Sequence, residues 1–391
     1  MKVLHVLPSF APAWRYGGPV RAAFELSREQ ARQGAEVSVY TTNIDGPSDL
    51  DVPTGRPLSM EGVRVTYFPV QFPRSYSFSL GLSRALRDTV RRFDIVHVHS
   101  VFNWALSPSA YYCRRFRIPY VVRPCGMLDP VAIDKPYEPA WRSLAGRIKK
   151  KIYLGLVEGG HLQSAAALHF TCRRELEQSR WAARDVPGFI TPLGITPLEL
   201  PPDRPRFGLP PQATVILFLS RIDRKKGLDL LLAGFEKIAR DEPRAWLAVA
   251  GDGSPEYVRE VKARVQRIPR ARWLGPVEGE TKWALLRSAD LFVLPSHHEN
   301  FALAAAEAMG AGLPVVVSDR VGVAESVLES GGGLVTRCES TEVAEAMERL
   351  LRHPEERSRM GALARRRARQ AFQWPGIARD VLDEYRRILD S

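Results

Sequence analysis

The sequence predicts an α/β protein made of two successive parallel-sheet units, and three observations carry that reading. Short β-branched runs alternate with amphipathic helical stretches along all 391 residues, the order of strand and crossover helix that parallel sheets require. The pattern starts twice, at Val3 to Leu7 and again at Thr214 to Leu219. Between the two series, residues 191 to 211 hold too many prolines for a regular element and read as a linker. A chain of this length and ordinary apolar content has material for two cores of roughly 190 residues each.

Taken in order, the strand from Val3 ends at Pro8, and a loop containing Tyr16-Gly17-Gly18-Pro19 leads into an amphipathic helix from about Val20 to Gln33, closed by Gly34. Glu36 to Thr41, Asp94 to His99 and Tyr120 to Val122 continue the strand series. In the second half, Trp246 to Ala250 runs into Gly251-Asp-Gly253, and Leu291 to Leu294 is a short buried strand stopped by Pro295. The Ala-rich stretch Ala302 to Ala311 favours helix until Gly312 and Pro314 end it, and Val315 to Val317 is again a strand. The final segment, from Phe372, is a helix with an apolar stripe at Ile377, Val381, Tyr385 and Leu389.

Composition narrows the function classes. The net charge of +12 is concentrated in residues 1–195, with 26 Lys and Arg against 16 Asp and Glu, while residues 196–391 have 30 against 28. Such a bias suggests an anionic partner or surface for the first half, or simply a solvated basic face. No zinc-finger, helix-turn-helix or RNP-like pattern supports nucleic acid as that partner. Cys113, Cys125, Cys172 and Cys338 form neither CxxC nor Cys/His pairs, so neither a zinc site nor a disulfide framework is expected. No window approaches the ~18 apolar residues of a membrane span, and the first strand is too short for a signal core. A cytoplasmic protein is expected, free or docked on the inner face of the membrane.

Two segments carry chemistry. Glu299 and Glu307 stand eight positions apart around one helix start; with helix from 300 to 310 they would lie roughly 10–12 Å apart along its axis. Between them the amides of Asn300, Phe301, Ala302 and Leu303 would lack intrahelical partners and suit a phosphate. The alternative is a capping Glu299 and a solvated Glu307. The second segment, Ser220-Arg-Ile-Asp-Arg-Lys-Lys-Gly227, places Arg221 and Lys226 on the loop after a strand. There they form either a diphosphate clamp or an exposed basic turn.

A strand followed by Ser-Arg-x-x-x-x-Lys-Gly, then Gly251-Asp-Gly253, then Glu299 with Glu307, resembles glycosyltransferase family 4. The Gly17-Gly18 loop, the strand end at His99 and the Phe372-x-Trp374 helix extend the resemblance over nearly the whole chain. It implies the GT-B fold of two facing Rossmann-like domains: 1–195 for the acceptor, 196–374 for the nucleotide sugar, and 375–391 as a helix returning to the first. It implies a retaining hexosyltransferase in which Glu299 binds donor-sugar hydroxyls, Arg221 and Lys226 hold the diphosphate and Glu307 binds the ribose diol. His99 would lie near the reacting sugar; Gly17 and Gly18 would let backbone approach the donor phosphate or the acceptor, and Gly251 would be donor-binding. One departure stands out: the family commonly has Gly where this chain has Ala302.

Charge argues the same way. Cleaving the anomeric bond puts negative charge on the leaving diphosphate, which fixed cations stabilise, so no cofactor or metal is expected. Asp49-Leu-Asp51 is formally a DxD, but it sits among Pro and Gly and is not expected to bind metal. His97 and His99 are expected on opposite faces of their strand, His97 as packing and His99 as the functional ring. His297 and His298 flank the Glu299 loop and could orient it. Trp141, Leu144, Ile148 and Ile152 form a helical stripe among Arg142, Arg147, Lys149 and Lys150, fit either for packing on the domain or for lying on anionic lipid over 141–154. With Val122 to Asp129 this segment resembles the family branch of surface-polysaccharide assembly, implying a glycan or lipid-linked acceptor. Competing readings are a nucleotide-sugar 2-epimerase of the same fold and a non-catalytic nucleic-acid-binding protein.

Overall fold

The computed structural model describes residues 1–134, 140–198 and 207–391, the first four of the second stretch by backbone alone. The expected linker therefore lies partly outside the described residues, at 199–206. Two compact units are present: Met1–Gly194 together with Trp374–Ser391, and Ile195–Gln373.

The first unit holds an eight-stranded sheet in the order Gly188–Ile190, Ala167–Phe170, Tyr120–Arg123, Ile95–His99, Lys2–Val6, Glu36–Thr42, Val63–Phe68, Pro57–Met60. All neighbours are parallel except the last pair, which is antiparallel. Val3 to Val6 are all buried, because helices cover both faces of the sheet. One face is apolar, with Leu4, Val6, Val96, Val98 and Val122 packed on Leu82, Leu86 and Leu106. The helices Gly18–Arg32 and Trp374–Asp390 belong to this unit, and Gln33 Nε2 donates to the Pro375 carbonyl at 2.8 Å. Along the terminal helix Ile377, Val381 and Tyr385 are buried as its stripe requires, whereas Leu389 is exposed.

The second unit holds a six-stranded parallel sheet in the order Ala271–Gly275, Ala245–Ala250, Thr214–Leu219, Leu291–Leu294, Val315–Ser318, Gly333–Thr336. In each unit the first strand lies between a series extending to one side and a later series extending to the other. The crevice at that reversal, outside the carboxyl ends of the strands, is where open α/β sheets bind ligands. In the second unit it is formed by the loops after Leu219 and Leu294, and in the first by those after Val6 and His99.

Candidate functional site

In the second unit the two charged segments meet. Asp223 caps the short 3-10 turn Arg224–Lys226 by accepting from the Lys225 amide, and Gly227 follows with φ 65°. A Cβ at Gly227 would lie 2.0 Å from the Pro295 carbonyl oxygen, so only glycine lets the two loops close on each other. The His297 amide then donates to the Lys225 carbonyl at 2.8 Å. This closure carries Lys226 Nζ into an ion pair with Glu299 Oε1. Burial, with Lys225 and Arg221 nearby, pulls the Lys226 ammonium well below the usual lysine range, and the Asp223 carboxylate opposes this. Arg221 is exposed on the same loop. His298 is buried.

Gly251 has a structural reason to be glycine: with φ 144°, a Cβ there would come within 1.8 Å of the Ser220 carbonyl oxygen. Its small size brings the loop after Ala250 against the loop that carries Arg221, and Ile222 pairs with Gly253 as an isolated bridge.

The helix start differs from the sequence expectation. It runs Leu303–Ala311, with Ala302 as N-cap, so the 300–310 helix assumed for the spacing of the two glutamates does not form. The Ala305 and Ala306 amides donate to the Ala302 carbonyl, which leaves those of Leu303 and Ala304 at the open end. Asn300 and Phe301 precede the helix, strapped to the loop after Ser318: Glu299 donates to Arg320, Gly322 to Glu299, and Val323 to Phe301. This strap forces the chain to turn sharply into the helix, and Ala302 takes φ 74°, ψ 65°. That left-handed conformation favours glycine, and Ala302 is the position where the family pattern has one. The Phe301 ring is buried edge-on against Phe372, with centroids 5.4 Å apart. Glu307 is buried and bonded to Lys282 Nζ at 2.5 Å, so it is not a solvated helix residue.

In the first unit, Gly17 caps the helix Gly18–Arg32 with φ 67° and ψ −131°, and a Cβ on either glycine would meet open space. His99 ends its strand at the sheet reversal but is buried. The expectation that His97 and His99 face opposite ways is wrong. Side chains two apart on a strand share a face, and the two rings stack with centroids 4.3 Å apart. His5, the register partner of His97, joins them, as does Arg123, the partner of His99. His5 Nδ1 lies 2.9 Å from His99 Nε2 and His5 Nε2 2.7 Å from Gln30 Oε1; His97 Nδ1 lies 2.5 Å from the Tyr385 hydroxyl. Burial drives His5 down to about 4 and His97, His99 and His169 well below the ordinary imidazole range, with the Arg123 charge adding to it. All four rings are therefore neutral near pH 7.

The ring nitrogens of His5, His97 and His99 approach within 4.8 Å of one another. A divalent ion fits poorly there: both His5 nitrogens are engaged, and the buried guanidinium of Arg123 repels added positive charge. Asp49 of the DxD pairs with Arg74 at 2.7 Å.

Sequence reasoning missed Lys282, the 319–323 strap, the partners of His99, and two buried carboxylates in the first unit. Glu158 accepts the Phe102 amide at 2.8 and 2.9 Å, and Glu175 accepts the Gly126 amide at 2.6 Å and the Thr171 amide at 2.7 Å. For Glu158 the signal was an acidic residue in an otherwise apolar or basic stretch, whereas Glu175 shares its helix with Glu177 and does not stand out. The segment 141–154 forms the helix Ala140–Tyr153, continued by a π-helical turn Leu154–Glu158. The side chains of Trp141 and Arg142 lie outside the described residues, and the rest of the stripe does not pack inward. Leu144, Ile148, Ile152 and Leu156 are 49, 49, 55 and 82% exposed, while Leu154 and Glu158 are buried. Among the described residues no helix is long and apolar enough to cross a membrane.

Comparison with known proteins matches residues 17–193 to the glycosyl transferase 4-like domain and residues 201–367 to the glycosyl transferases group 1 domain. The D-inositol 3-phosphate glycosyltransferase of Xylanimonas cellulosilytica is 30% identical, covering 98% of this chain and 95% of its own. The glycogen synthase of Mycobacterium tuberculosis is 27% identical over 95% and 93% of the two chains. In fold, the chain is similar to sucrose-phosphate synthase from Thermosynechococcus elongatus, with TM-score 0.77 at 19% identity over the full length of both. Anabaena HepE, solved with UDP and glucose, gives TM-score 0.72 at 20% identity over 98% and 99%. The chain belongs to the group 1 glycosyltransferases with a 4-like N-terminal domain, the family-4 type of GT-B fold, and is a glycosyltransferase.

Proposed function

We propose that this glycosyltransferase moves a hexosyl-type sugar from a nucleotide-diphosphate sugar to a glycan or lipid-linked acceptor, with retention at the anomeric carbon, in surface-polysaccharide synthesis. The observation that carries the donor reading is the Lys226–Glu299 ion pair at the sheet reversal of the second unit, with Arg221 on the same loop. Lys226 and Arg221 hold the diphosphate, aided by the backbone at Gly251 and at Asn300, Phe301, Ala302 and Leu303. Glu299 accepts from sugar hydroxyls, and Glu307, oriented by Lys282, accepts from the ribose diol. Gly17 and Gly18 admit the donor phosphate or the acceptor to the first unit, and His99 stands near the reacting sugar.

As the anomeric C–O bond breaks, its electron pair goes to the nucleoside diphosphate, and the fixed cations stabilise the charge that develops. The acceptor hydroxyl adds from the face the leaving group vacates and passes its proton to the departing phosphate oxygen. No metal enters this scheme, so full turnover is expected in excess EDTA; strict dependence on a divalent ion would refute it. Melting curves with UDP, GDP, ADP and their sugars identify the donor, since a ligand bound only to the native state raises Tm.

The acceptor reading rests on the outward stripe of the Ala140–Tyr153 helix and its π-helical continuation. Leu144, Ile148, Ile152 and Leu156 make an exposed apolar ridge, with exposed Lys149 to one side and Arg147 and Lys151 to the other. That arrangement suits an anionic membrane surface, apolar side chains entering the headgroup boundary and lysines meeting lipid phosphate. Vesicles with anionic lipid should co-sediment the protein and zwitterionic vesicles should not. Lys149→Glu with Lys151→Glu should abolish the difference; retention on anionic vesicles by that variant would overturn the docking.

A further inference from the structure

The loop that leaves the strand Ile95–His99 is unusual backbone. Ser100 has φ 73° and Phe102 φ 59°, two non-glycine residues in the left-handed region within three positions of His99. Such conformations persist only where the surroundings hold them. The Ser100 amide is held by the Arg123 carbonyl at 2.8 Å, and Asn103 fixes the turn locally, its Oδ1 accepting from Ala105 and its Nδ2 donating to Val101. The remaining hold comes from elsewhere. Both oxygens of Glu158, a fully buried carboxylate, receive the Phe102 amide.

Glu158 gets there through an irregularity. It ends the π-helical turn Leu154–Glu158, which interrupts the helix begun at Ala140. Such turns shift the direction of the following side chains and recur at functional sites. Around the carboxylate, the Asn103 amide and the Tyr153 hydroxyl support its charged form, Tyr153 bonds in turn to Tyr76, and Lys150 Nζ lies 5.5 Å from the Phe102 ring centroid. Its cost is desolvation, which pushes the carboxyl up to about 7. The carboxylate is buried from solvent, and among the described residues no cation is in direct contact with it.

We infer that Glu158 is a positioning residue for sugar transfer: its carboxylate latches the 100–103 loop in the conformation that presents the reacting end of the first unit. The inference rests on the placing of His99 beside the reacting sugar. Above neutrality both oxygens accept and the latch is shut. Below it, one oxygen carries a proton and becomes a poor acceptor, the Phe102 amide keeps only one good acceptor, the loop relaxes, and turnover falls.

The test is Glu158→Gln, which keeps shape and one acceptor. At pH 8 kcat should fall about tenfold, as for a misplaced rather than missing group, with donor KM within roughly twofold. The acidic limb of the wild-type pH profile, near 7, should flatten. Melting separates this from a merely structural role. A carboxyl raised above its unfolded value contributes stability that is lost as pH rises through the folded value, so the variant should melt higher than wild type at pH 8 while working more slowly. Wild-type kcat in the variant, or a lower Tm with an unchanged profile, would overturn the latch. If the variant does not fold, the wild-type Phe102 amide decides: its 15N shift should titrate with a midpoint near 7, and a flat response from pH 6 to 8 sinks the proposal. That resonance needs no turnover, so a wild type inactive on every nucleotide sugar would indict the donor reading and leave the latch to be judged separately.

Discussion

The two sheet reversals solve the same burial problem in opposite ways. In the second unit the groups at the crevice are acids and bases set against each other: Lys226 with Glu299, and Glu307 with Lys282. In the first unit the comparable positions hold imidazoles, and burial beside Arg123 keeps them neutral. An isolated buried charge is far costlier than a neutral ring that shares hydrogen bonds. The difference matches the division of labour proposed for them. A crevice of paired charges can exchange its internal partner for a diphosphate, whereas a neutral, hydrogen-bonded crevice suits hydroxyl groups.

The strongest way to break this contrast is to remove a charge from the second unit. Lys226→Ala should lower kcat/KM by about 10²- to 10³-fold, the loss typical of one charge-stabilising donor. Because Glu299 is left without its partner, Lys226→Ala combined with Glu299→Gln should lose much less than the product of the two single effects. Steady-state kinetics on the four proteins measures this. Near-full activity of the single variant would remove the diphosphate clamp.

Acid attacks the other side. A base whose folded pKa is depressed contributes stability that is present above its unfolded value and lost as pH falls through the folded one. For His5, between 6.5 and about 4, the loss is on the order of 3 kcal/mol, and His97, His99 and His169 act in the same direction. Chemical denaturation should show the first unit weakening across that window. A stability independent of pH from 6.5 to 4 would mean the rings are not held neutral.

The smallest effect sharpens the picture at the helix start. Ala302→Gly should stabilise the second unit by about 1 kcal/mol, the left-handed strain relieved less the added freedom of the unfolded chain. The readout is Tm, and a fall in Tm would show that the methyl group is worth more in packing than in strain.

Much of the site was legible because its signals are local. Ser220 to Gly227 reads as a strand-to-helix loop, and the cations it carries are visible as residue types. Glu299 and Glu307 stand out in an Ala-rich, apolar stretch. The start of the helix between them was misjudged, because the strap to residues 320–323 that delays it comes from a different strand connection. The His97–His99 error was one of period, and a two-residue repeat read correctly puts both rings together. Their partners His5, Arg123 and Tyr385 could not be found by spacing, since they come from other strands and from the terminal helix.

By itself the sequence determined the alternation of strand and helix, the two starts of that pattern, and the two charged clusters, Arg221 with Lys226 and Glu299 with Glu307. Periodicity, helix stops and residue charge are properties of neighbouring positions, so they survive without a fold. Tertiary structure alone decided which charges meet. It set Lys226 on Glu299 and Lys282 on Glu307, turned the 144–156 ridge outward, and brought Glu158 under the loop after His99. Those outcomes depend on desolvation and on the close approach of distant backbone, which no local pattern records.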